Sequence, residues 1–524
     1  MVQQLMAGGS RWSGEHNVDV WPHPVQSIAL CETHISWVLL TGTYAYKIKK
    51  PVNFGFVDFS SLDKRQFYCT EEVRLNRRLA PQIYLDVVSI HGTPNHPNLC
   101  GEGPLLDYAV RMQQFDKDQG FDQMLQRGEL SLLHMDKTAD ILTAFHSGTA
   151  VAKEASEYGT AQAVFAPVQE NFDHIRQHLD NQVVDAKVHR QFAELERWSG
   201  DTWQALTAVF SSRQRLGFVR ECHGDLHLRN LVFWQQTVIP FDCLEFSADL
   251  RWIDVMSELA FLLMDLDEHG RPDLAQRLLN TYLEIGGDYE GLQVLRFYQV
   301  YRALVRAKVA GLRLTQTSEP DPLVVEEISN YIRLASLYTQ VQPGRLVICH
   351  GLSGTGKSYI SQQILEQAGV IRLRSDVERQ RLFGVSGKHH KSSGNQQGIY
   401  HPSASKRTYT HLLELAGKLI DWGYNVLVDA AFLESQQRVL FQNYADAEGI
   451  PFTILHCESE PALQRQRIAS RNEQGKDASE ADIAILDWQL EHQQMLSARE
   501  RSYCIVVDTS GEPDLGEILQ WLSA

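Results

Sequence analysis

Apolar and polar positions alternate in three different ways along the 524 residues of this chain. Residues 26–115 hold short β-rich runs separated by turns, with one helical stretch among them. From residue 121 to about residue 340 the pattern is mostly helical, apart from one β-rich island at 218–246. Beyond residue 345, apolar strands alternate with amphipathic helices, which is typical of a parallel sheet covered by helices.

These patterns predict a small, mostly antiparallel sheet with one helix, then a helix-rich lobe, then a parallel α/β sheet. The change after Q-P-G-R at 342–345 indicates a domain boundary near residue 341. We therefore predict a first domain at 1–340, with a strand lobe at about 25–115 and a helical lobe at about 116–340, and a second domain at 341–524. The predicted strands are 27–31, 35–40, 44–49, 83–90 and 105–112 in the first domain and 346–350, 370–373, 425–429, 452–457 and 503–508 in the second, and the helix of the strand lobe is 61–79.

Composition excludes several classes of protein. Hydrophobic residues make up 43% of the chain and charged residues 22%, which is the ordinary range of folded globular proteins. The formal net charge of -16 disfavours nucleic acid as the main partner, because such binding uses clustered Lys and Arg. The 8 cysteines form no C-x-x-C pair, the N-terminus lacks an export signal and no apolar run is long enough for a membrane span. We expect a cytoplasmic protein with reduced thiols and no membrane contact.

The segment G-L-S-G-T-G-K-S at 351–358 matches the phosphate-binding P-loop at every fixed position, and it lies between a predicted strand and a predicted helix. Its glycines let successive backbone N–H groups converge on phosphates at a helix N-terminus. We expect Lys357 to reach the β- and γ-phosphates and the Ser358 hydroxyl to ligate magnesium. The predicted nucleotide-binding residues are Gly351, Ser353, Gly354, Thr355, Gly356, Lys357 and Ser358.

Two acids that follow predicted strands are candidates for the chemistry beside the P-loop. Asp429 ends the apolar strand N-V-L-V-D and suits a carboxylate that holds the metal through water, whereas Asp376 follows the second strand. Either acid could instead cap a helix. Downstream, L-Q-R-Q-R-I-A-S-R-N carries Arg465, Arg467 and Arg471, whose charge suits either a transferring phosphoryl group or a solvated face.

Five segments of the second domain carry a family resemblance: the P-loop, R-S-D-V-E-R at 374–379, Y-H-P-S-A-S-K-R-T-Y at 400–409, V-D-A-A-F at 428–432 and the arginine segment. Together they resemble the zeta-toxin and gluconate-kinase-like P-loop kinases, an AAA-type ATP-binding group, over roughly residues 345–520. The resemblance implies that Asp376 faces the acceptor hydroxyl and that Arg465, Arg467 and Arg471 belong to a lid. Acceptors vary widely in that group. The sequence does not predict the conformation of the loop at 384–398.

A second constellation lies in the first domain, where H-G-D-L-H-L-R-N at 223–230 precedes a short β-hairpin and I-P-F-D-C-L-E-F. In kinase-like phosphotransferases a catalytic-loop Asp positions the acceptor hydroxyl, an Asn five residues later holds magnesium, and an Asp on the next hairpin holds it too. Asp225, Asn230 and Asp242 fit these roles, because two adjacent loops supply the hard oxygen ligands that magnesium requires.

A lysine for the α- and β-phosphates is expected in the strand lobe. The strand T-Y-A-Y-K-I-K-K offers Lys47, with Lys49 as the runner-up on the same face. The helix that follows offers Glu71 and Glu72 as partners for this lysine, and Glu72 is favoured. The Gly-rich loop that covers the phosphates in kinases is degenerate here, since Gly42 is its only glycine.

H-G-D in place of H-R-D, a helix-rich second lobe and D-V-M-S-E-L-A from Asp254 resemble the aminoglycoside and choline phosphotransferase family over about residues 25–340. The resemblance implies a bilobal protein-kinase-like fold. It also implies Asp225 as catalytic base, Asn230 and Asp242 as magnesium ligands, and Asp254 as an acid that braces the loop. The spacing of Glu245 after Asp242 departs from the family pattern.

A predicted basic helix is relevant to the kind of substrate. Its sequence is R-F-Y-Q-V-Y-R-A-L-V-R-A-K-V-A-G-L-R-L, in which Arg302 and Arg306 lie one turn apart. This positive charge could bind an anionic substrate, or acidic side chains of the neighbouring lobe could neutralise it.

The whole chain resembles bacterial fusions of a phosphotransferase-like domain with a P-loop kinase domain. We expect a bifunctional kinase that uses ATP and Mg²⁺ to phosphorylate hydroxyls of small molecules at two sites. One alternative is a regulatory or toxin-type ATPase in which one nucleotide-binding domain gates the other. A further alternative is a polynucleotide 5′-hydroxyl kinase in the second domain, which the acidic charge disfavours.

Overall fold

Two compact units make up the chain, and each combines segments that are distant in sequence. The computed structural model describes residues 1–8, 20–25, 27–55, 57–99, 101–180, 185–314, 321–384, 401–474 and 483–524. The first unit comprises Met1–Asp265 and Phe297–Ile332, and the P-loop unit comprises Leu266–Arg296 and Arg333–Ala524. The domain boundary at residue 341 stays a prediction, but residues 266–296 belong to the P-loop unit, which the hydrophobic pattern did not indicate.

The strand lobe of the first unit consists of α1 (Val2–Gly8), β1 (Ala29–Glu32), β2 (Ser36–Leu40), β3 (Tyr44–Lys49), α2 (Leu62–Asn76), β4 (Tyr84–Thr93), β5 (His96–Leu99) and β6 (Leu105–Gln113). Its strands form an antiparallel sheet in the order β1-β2-β3-β6-β4-β5. Side chains such as Tyr46 and Ile48 of β3 pack in the apolar core on one face. Lys47 and Lys49 alternate with them and therefore point to the other face. The sequence pattern missed β5 because H-P-N-L shows no apolar alternation.

The helical lobe and its β-rich island follow in the chain. The elements are α3 (Phe121–Gln126), α4 (Leu132–Gly148), α5 (Ala161–Asp180), α6 (Ala186–Arg215), β7 (Val219–Glu221), β8 (Leu231–Trp234), β9 (Thr237–Pro240), β10 (Trp252–Asp254), α7 (Val255–Glu268), α8 (Pro272–Gly286), α9 (Leu292–Leu314) and α10 (Pro322–Tyr338), with short 3-10 helices at Lys117–Gln119, Leu228–Asn230 and Tyr289–Gly291. Strand β7 pairs with β10, and β8 pairs with β9, both antiparallel. The segment 222–230 is thus held between two small hairpin-like sheets.

The P-loop unit is built on a parallel sheet. Its elements, besides α8, are β11 (Leu346–His350), α11 (Lys357–Ala368), β12 (Ile371–Arg374), α12 (Ser375–Leu382), α13 (Pro402–Asp421), β13 (Val426–Asp429), α14 (Ser435–Glu448), β14 (Phe452–Glu458), α15 (Pro461–Gln474), α16 (Ile483–His492), α17 (Ala498–Arg501), β15 (Cys504–Asp508) and α18 (Gly516–Ser523). The strand order is β12-β13-β11-β14-β15, and every pair is parallel. The central strand β11 is buried along its whole length, as expected of a sheet with helices on both faces.

The predicted fold class is confirmed: a strand lobe precedes a helical lobe, and a five-stranded parallel sheet with a P-loop follows. In the part of the chain that the structure describes, no helix combines the length and the apolar character needed to cross a bilayer. The seven cysteines among the described residues form no disulfide.

Candidate active sites

Two buried lysines on β3 meet acids from distant parts of the first unit. Lys47 Nζ lies 2.8 Å from Glu72 Oε1 and 2.5 Å from Asp242 Oδ1. Lys49 Nζ lies 2.7 Å from Glu72 Oε2 and also pairs with Glu245 Oε1. Glu72 is fully buried, and it is the acid that both lysines share. The runner-up Lys49 is therefore part of the same ionic cluster as Lys47.

Burial and mutual contact shift the pKa values within this cluster in opposite directions. Burial alone would lower the pKa of Lys47, but Asp242 and Glu72 raise it well above its usual value. Burial alone would raise the pKa of Glu72, but Lys47 and Lys49 lower it to about 2. Burial raises the pKa of Glu245 despite the contact with Lys49. At neutral pH Lys47 is a cation held in place by the ionised Glu72.

Two other strand-lobe candidates lie apart from the cluster. Glu71, the weaker candidate for the lysine partner, pairs with Arg74 at 2.8 Å instead. Gly42 has a φ of 95°, which favours glycine, and its N–H donates to Gln114 Oε1 at 2.9 Å. The backbone donor of this turn is thus occupied by a side chain of the same lobe.

The loop between β7 and β8 brings Asp225 and Asn230 together. Asn230 Nδ2 donates to the Asp225 carbonyl oxygen at 2.9 Å and to Asp225 Oδ2 at 3.2 Å. His227 Nε2 lies 3.5 Å from the same carboxylate oxygen. Burial alone would raise the pKa of Asp225, but His227 and His223 hold it below its usual value. Asp225 is therefore an anion at neutral pH and can orient a hydroxyl by accepting its hydrogen bond.

Asp242 lies in a strained backbone conformation after β9. Its φ is 62°, a left-handed value that non-glycine residues rarely adopt and that is often found at functional sites. Its N–H donates to the Tyr84 hydroxyl at 3.0 Å, and the next N–H, of Cys243, donates to Asn76 Oδ1 at 2.8 Å. The Asp242 side chain is 44% exposed, so it is the open member of the lysine cluster.

The catalytic-loop candidate is braced by residues that the sequence analysis did not select. The Gly224 N–H donates to Glu258 Oε2 at 2.7 Å, and His146 Nε2 lies 3.0 Å from Glu258 Oε1. Asp254, expected to brace this loop, pairs instead with Arg213 at 2.6 Å. That expectation is wrong because Glu258, one helical turn further along α7, is the acid that reaches the loop. The quoted segment D-V-M-S-E-L-A contains both acids, and only packing distinguishes them.

The basic helix α9 uses its arginines within the protein. Arg302 is 4% exposed, and it donates to the carbonyl oxygens of Ser257 at 3.0 Å and Gly224 at 3.3 Å. Arg306 Nε donates to the Tyr331 hydroxyl at 3.3 Å. These contacts favour a structural role for Arg302 over recognition of an anionic substrate. Its hydrogen bonds go to backbone carbonyl oxygens, and its charge also helps to hold the pKa of Asp225 below the usual value.

The P-loop connects the end of β11 to the start of α11. Gly354 and Gly356 have φ values of 83° and 87°, and a Cβ at Gly354 would lie 2.7 Å from the Gln464 carbonyl oxygen. Lys357 Nζ donates to the Gly351 carbonyl oxygen at 2.9 Å. Burial lowers the pKa of Lys357. The backbone is thus held in the tight turn that a phosphate-binding loop requires.

The remaining P-loop side chains tie the loop to its surroundings. Thr355 Oγ1 donates to the Leu352 carbonyl oxygen at 2.9 Å, and Thr509 Oγ1 donates to the Thr355 carbonyl oxygen at 2.8 Å. The Ser353 N–H donates to Gln489 Oε1 at 2.8 Å. Thr509 and Gln489 are contacts that the motif alone does not indicate.

A cavity of about 600 Å³ adjoins the P-loop. Lys357, Ser358 and Asp429 line it together with Asp376, so the structure brings all four predicted residues to one space. Asp429 is 6% exposed and accepts a hydrogen bond from Ser361 Oγ at 3.3 Å. Further lining residues include Tyr409, Glu434, Gln437 and Trp488.

The three arginines of α15 differ in position. Arg467 lines the cavity, and it donates to Thr509 Oγ1 at 2.9 Å and to the Thr509 carbonyl oxygen at 2.6 Å. Arg465 pairs with Asp487 at 2.5 Å, and both side chains are about half exposed. Arg471 belongs to the same helix, but its side chain lies outside the described residues, as do residues 385–400 with most of the predicted 384–398 loop.

The donor atoms at both sites fit magnesium, which prefers oxygen ligands. The P-loop site offers the Ser358 hydroxyl and the buried Asp429 carboxylate. The first unit offers the side-chain oxygens of Asn230 and Asp242.

Known families and proteins match different parts of the chain. Residues 346–496 match the family model described as AAA domain. The resemblance of this region to a P-loop ATP-binding group is thereby confirmed. An uncharacterised protein of Mycobacterium tuberculosis is 28% identical over 489 residues, which span 92% of this chain and 95% of that protein, and one of Mycobacterium bovis matches equally.

Solved structures of kinases are similar to each part of the chain. A choline kinase from Cryptosporidium parvum covers 65% of this chain and 91% of its own, with a TM-score of 0.37 and 11% identity. A gluconokinase from Sinorhizobium meliloti covers 35% of this chain and 91% of its own, with a TM-score of 0.23 and 18% identity.

Proposed function

We propose that this chain is an ATP-dependent phosphotransferase with two sites, each of which moves the γ-phosphoryl group of ATP to a hydroxyl of a small molecule. The observation that carries the proposal is the cavity of the P-loop unit, which Asp376 lines together with Lys357 and Asp429. An acid in the same cavity as a phosphate-binding loop, with room for an organic acceptor, suits transfer to a hydroxyl better than nucleotide binding alone.

At the P-loop site, the acceptor oxygen attacks the γ-phosphorus while its proton passes to Asp376. The bond from that phosphorus to the β,γ-bridging oxygen breaks, and ADP leaves. Lys357 and the loop N–H groups bind the phosphates, and Arg467 and Arg471 are assigned to the transferring group. Mg²⁺, held by Ser358 and Asp429, would neutralise phosphate charge.

In the first unit, Asp225 accepts the proton of the acceptor hydroxyl in the same way. Lys47, oriented by Glu72, would bind the α- and β-phosphates, and Asn230 and Asp242 would hold Mg²⁺. Lys47 pairs with Asp242 at 2.5 Å, so this ion pair would have to open for Lys47 to reach the phosphates and for Asp242 to reach the metal.

A screen of small hydroxyl compounds with γ-labelled ATP tests the proposal. Wild-type protein should label two products, Asp225→Asn should lose one of them, and Lys357→Met should lose the other. If neither substitution changes labelling of any compound while both alter binding of a protein partner, the kinase proposal fails and the regulatory ATPase is favoured.

A further inference from the structure

The edge strand β12 of the P-loop unit is completed by a side chain of α8, a helix outside the AAA-domain match. Asn280 Nδ2 donates to the Val370 carbonyl oxygen at 3.1 Å, and the Arg372 N–H donates to Asn280 Oδ1 at 2.8 Å. The Asn280 amide thus satisfies backbone groups that an edge strand leaves unpaired. Helix α8 is therefore joined to the sheet by specific hydrogen bonds.

One turn along α8, Glu284 binds the guanidinium of Arg372. Glu284 Oε1 lies 2.7 Å from Arg372 Nε and 2.6 Å from its second terminal nitrogen. Arg372 is 6% exposed, so this charge-assisted pair is shielded from solvent. Glu284 Oε2 also lies 3.9 Å from Arg374 Nη1, which is a weaker contact.

The other side of the Arg372 guanidinium faces the start of α11. One of its nitrogens lies 3.5 Å from the Ser358 carbonyl oxygen and 3.4 Å from Ser361 Oγ. Ser361 Oγ in turn donates to Asp429 Oδ2 at 3.3 Å. A single hydroxyl therefore separates this buried cation from the carboxylate assigned to magnesium.

We infer that Glu284 is a positioning residue that holds Arg372 away from Asp429 and so keeps that carboxylate available to magnesium. The inference rests on the proposed function of the P-loop site. Without Glu284, Asp429 is an acid that one intervening hydroxyl already links to the buried guanidinium, and an ion pair between them would compete with the metal. The P-loop site thus depends on Glu284, a residue more than 60 positions before the P-loop.

The test is the Mg²⁺ concentration at which the full chain binds a fluorescent ADP at the P-loop site, taken as the binding that Lys357→Met removes and measured alongside thermal unfolding. Glu284→Gln should raise the Mg²⁺ midpoint about tenfold, the size of effect that partners of metal ligands commonly have. The double variant Glu284→Gln with Arg372→Met should return it to near the wild-type value, because the competing cation is gone. A purely structural role would not be rescued by a second core substitution.

Glu366→Gln is the matched control. Glu366 pairs with Arg277 at 3.0 Å between α11 and α8, and its side chain is 14% exposed against 12% for Glu284. It should lower the unfolding midpoint without moving the Mg²⁺ midpoint. Equal shifts of the Mg²⁺ midpoint in Glu284→Gln and Glu366→Gln, or no rescue in the double variant, would overturn this inference but leave the proposed function intact. Absence of any Mg²⁺-dependent nucleotide binding that Lys357→Met removes would overturn the proposed P-loop function as well.

Discussion

The two candidate sites, which we propose bind the same nucleotide, are built from different parts of the chain. In the P-loop unit, one contiguous segment at 351–358 supplies the backbone turn, the lysine and the hydroxyl. In the first unit, Lys47, Glu72 and Asp242 come from positions up to 195 residues apart. A contiguous site depends mainly on its backbone, whereas the dispersed site is an ionic part of the core. We therefore expect loss of one charge of the Lys47–Lys49 cluster to affect folding, whereas loss of the Lys357 charge should affect only function.

The pKa values of the two lysines show the same contrast. Burial would lower the pKa of both, and it does lower that of Lys357. For Lys47, Asp242 and Glu72 outweigh burial and raise the pKa. Lys47 is thus paired with Glu72 and Asp242 in this structure, whereas Lys357 donates to a backbone carbonyl oxygen.

The largest expected effect separates the two activities. Asp225→Asn keeps the size of the side chain but cannot accept a proton, so the rate of the first-unit reaction should fall about 10³-fold, as for loss of a general base. The product of the P-loop site should form at the wild-type rate. Single-turnover assays with labelled ATP measure both, and a fall of less than tenfold in the first product would contradict the role of Asp225.

The next effect tests whether the dispersed site belongs to the core. Lys49→Met leaves Glu72 and Glu245 without one of their cations, and removal of one partner of a buried ion pair costs about 3–5 kcal/mol of unfolding free energy. Lys357→Met is the comparison, and we expect it to leave stability nearly unchanged because burial already disfavours the charged form. Urea unfolding measures both, and equal losses in the two variants would remove the distinction between the sites.

A somewhat smaller effect concerns the brace of the catalytic loop. Burial alone would raise the pKa of Glu258, but His146, His223 and the Gly224 N–H lower it from 4.5 to about 2. The stability from this ionised group is present above pH 4.5 and is lost as pH falls to 2, and the shift corresponds to about 3 kcal/mol. Glu258→Gln should be less stable at neutral pH by that order, and its stability should fall less steeply in acid. Parallel profiles for the variant and the wild type would contradict this linkage.

The smallest effect compares the two lysines directly. Because burial lowers the pKa of Lys357, its charge and the nucleotide affinity of the P-loop site should fall several-fold as pH rises toward the usual lysine pKa of about 10.4. Lys47 stays charged over the same pH range, so the nucleotide affinity of the first site should not change. Nucleotide titrations of Lys357→Met report the first site, and the binding that this variant loses relative to the wild type reports the P-loop site. A falling affinity at the first site would contradict the difference between the two lysines.

Much of the fold could be predicted from the chain, because periodicity reports which face of each element is buried. Strands β3 and β11 occur at the predicted bounds, and the five strands of the parallel sheet were all expected. Strand β5 could not be predicted, since its pairing partner rather than its own pattern makes it a strand. The assignment of α8 to the P-loop unit could not be predicted either, because its contacts are made with residues far along the chain.

Local features of the sequence account for the P-loop turn, which glycines at 354 and 356 permit, and for the spacing of Asp225 and Asn230 within one loop. The partner of each charged side chain depends instead on how distant segments pack. Glu72 rather than Glu71 reaches Lys47, Glu258 rather than Asp254 braces the loop, and Glu284 reaches Arg372. The physical reason is range: backbone preferences act between neighbours, whereas an ion pair requires two side chains within about 4 Å, which packing of distant segments alone arranges.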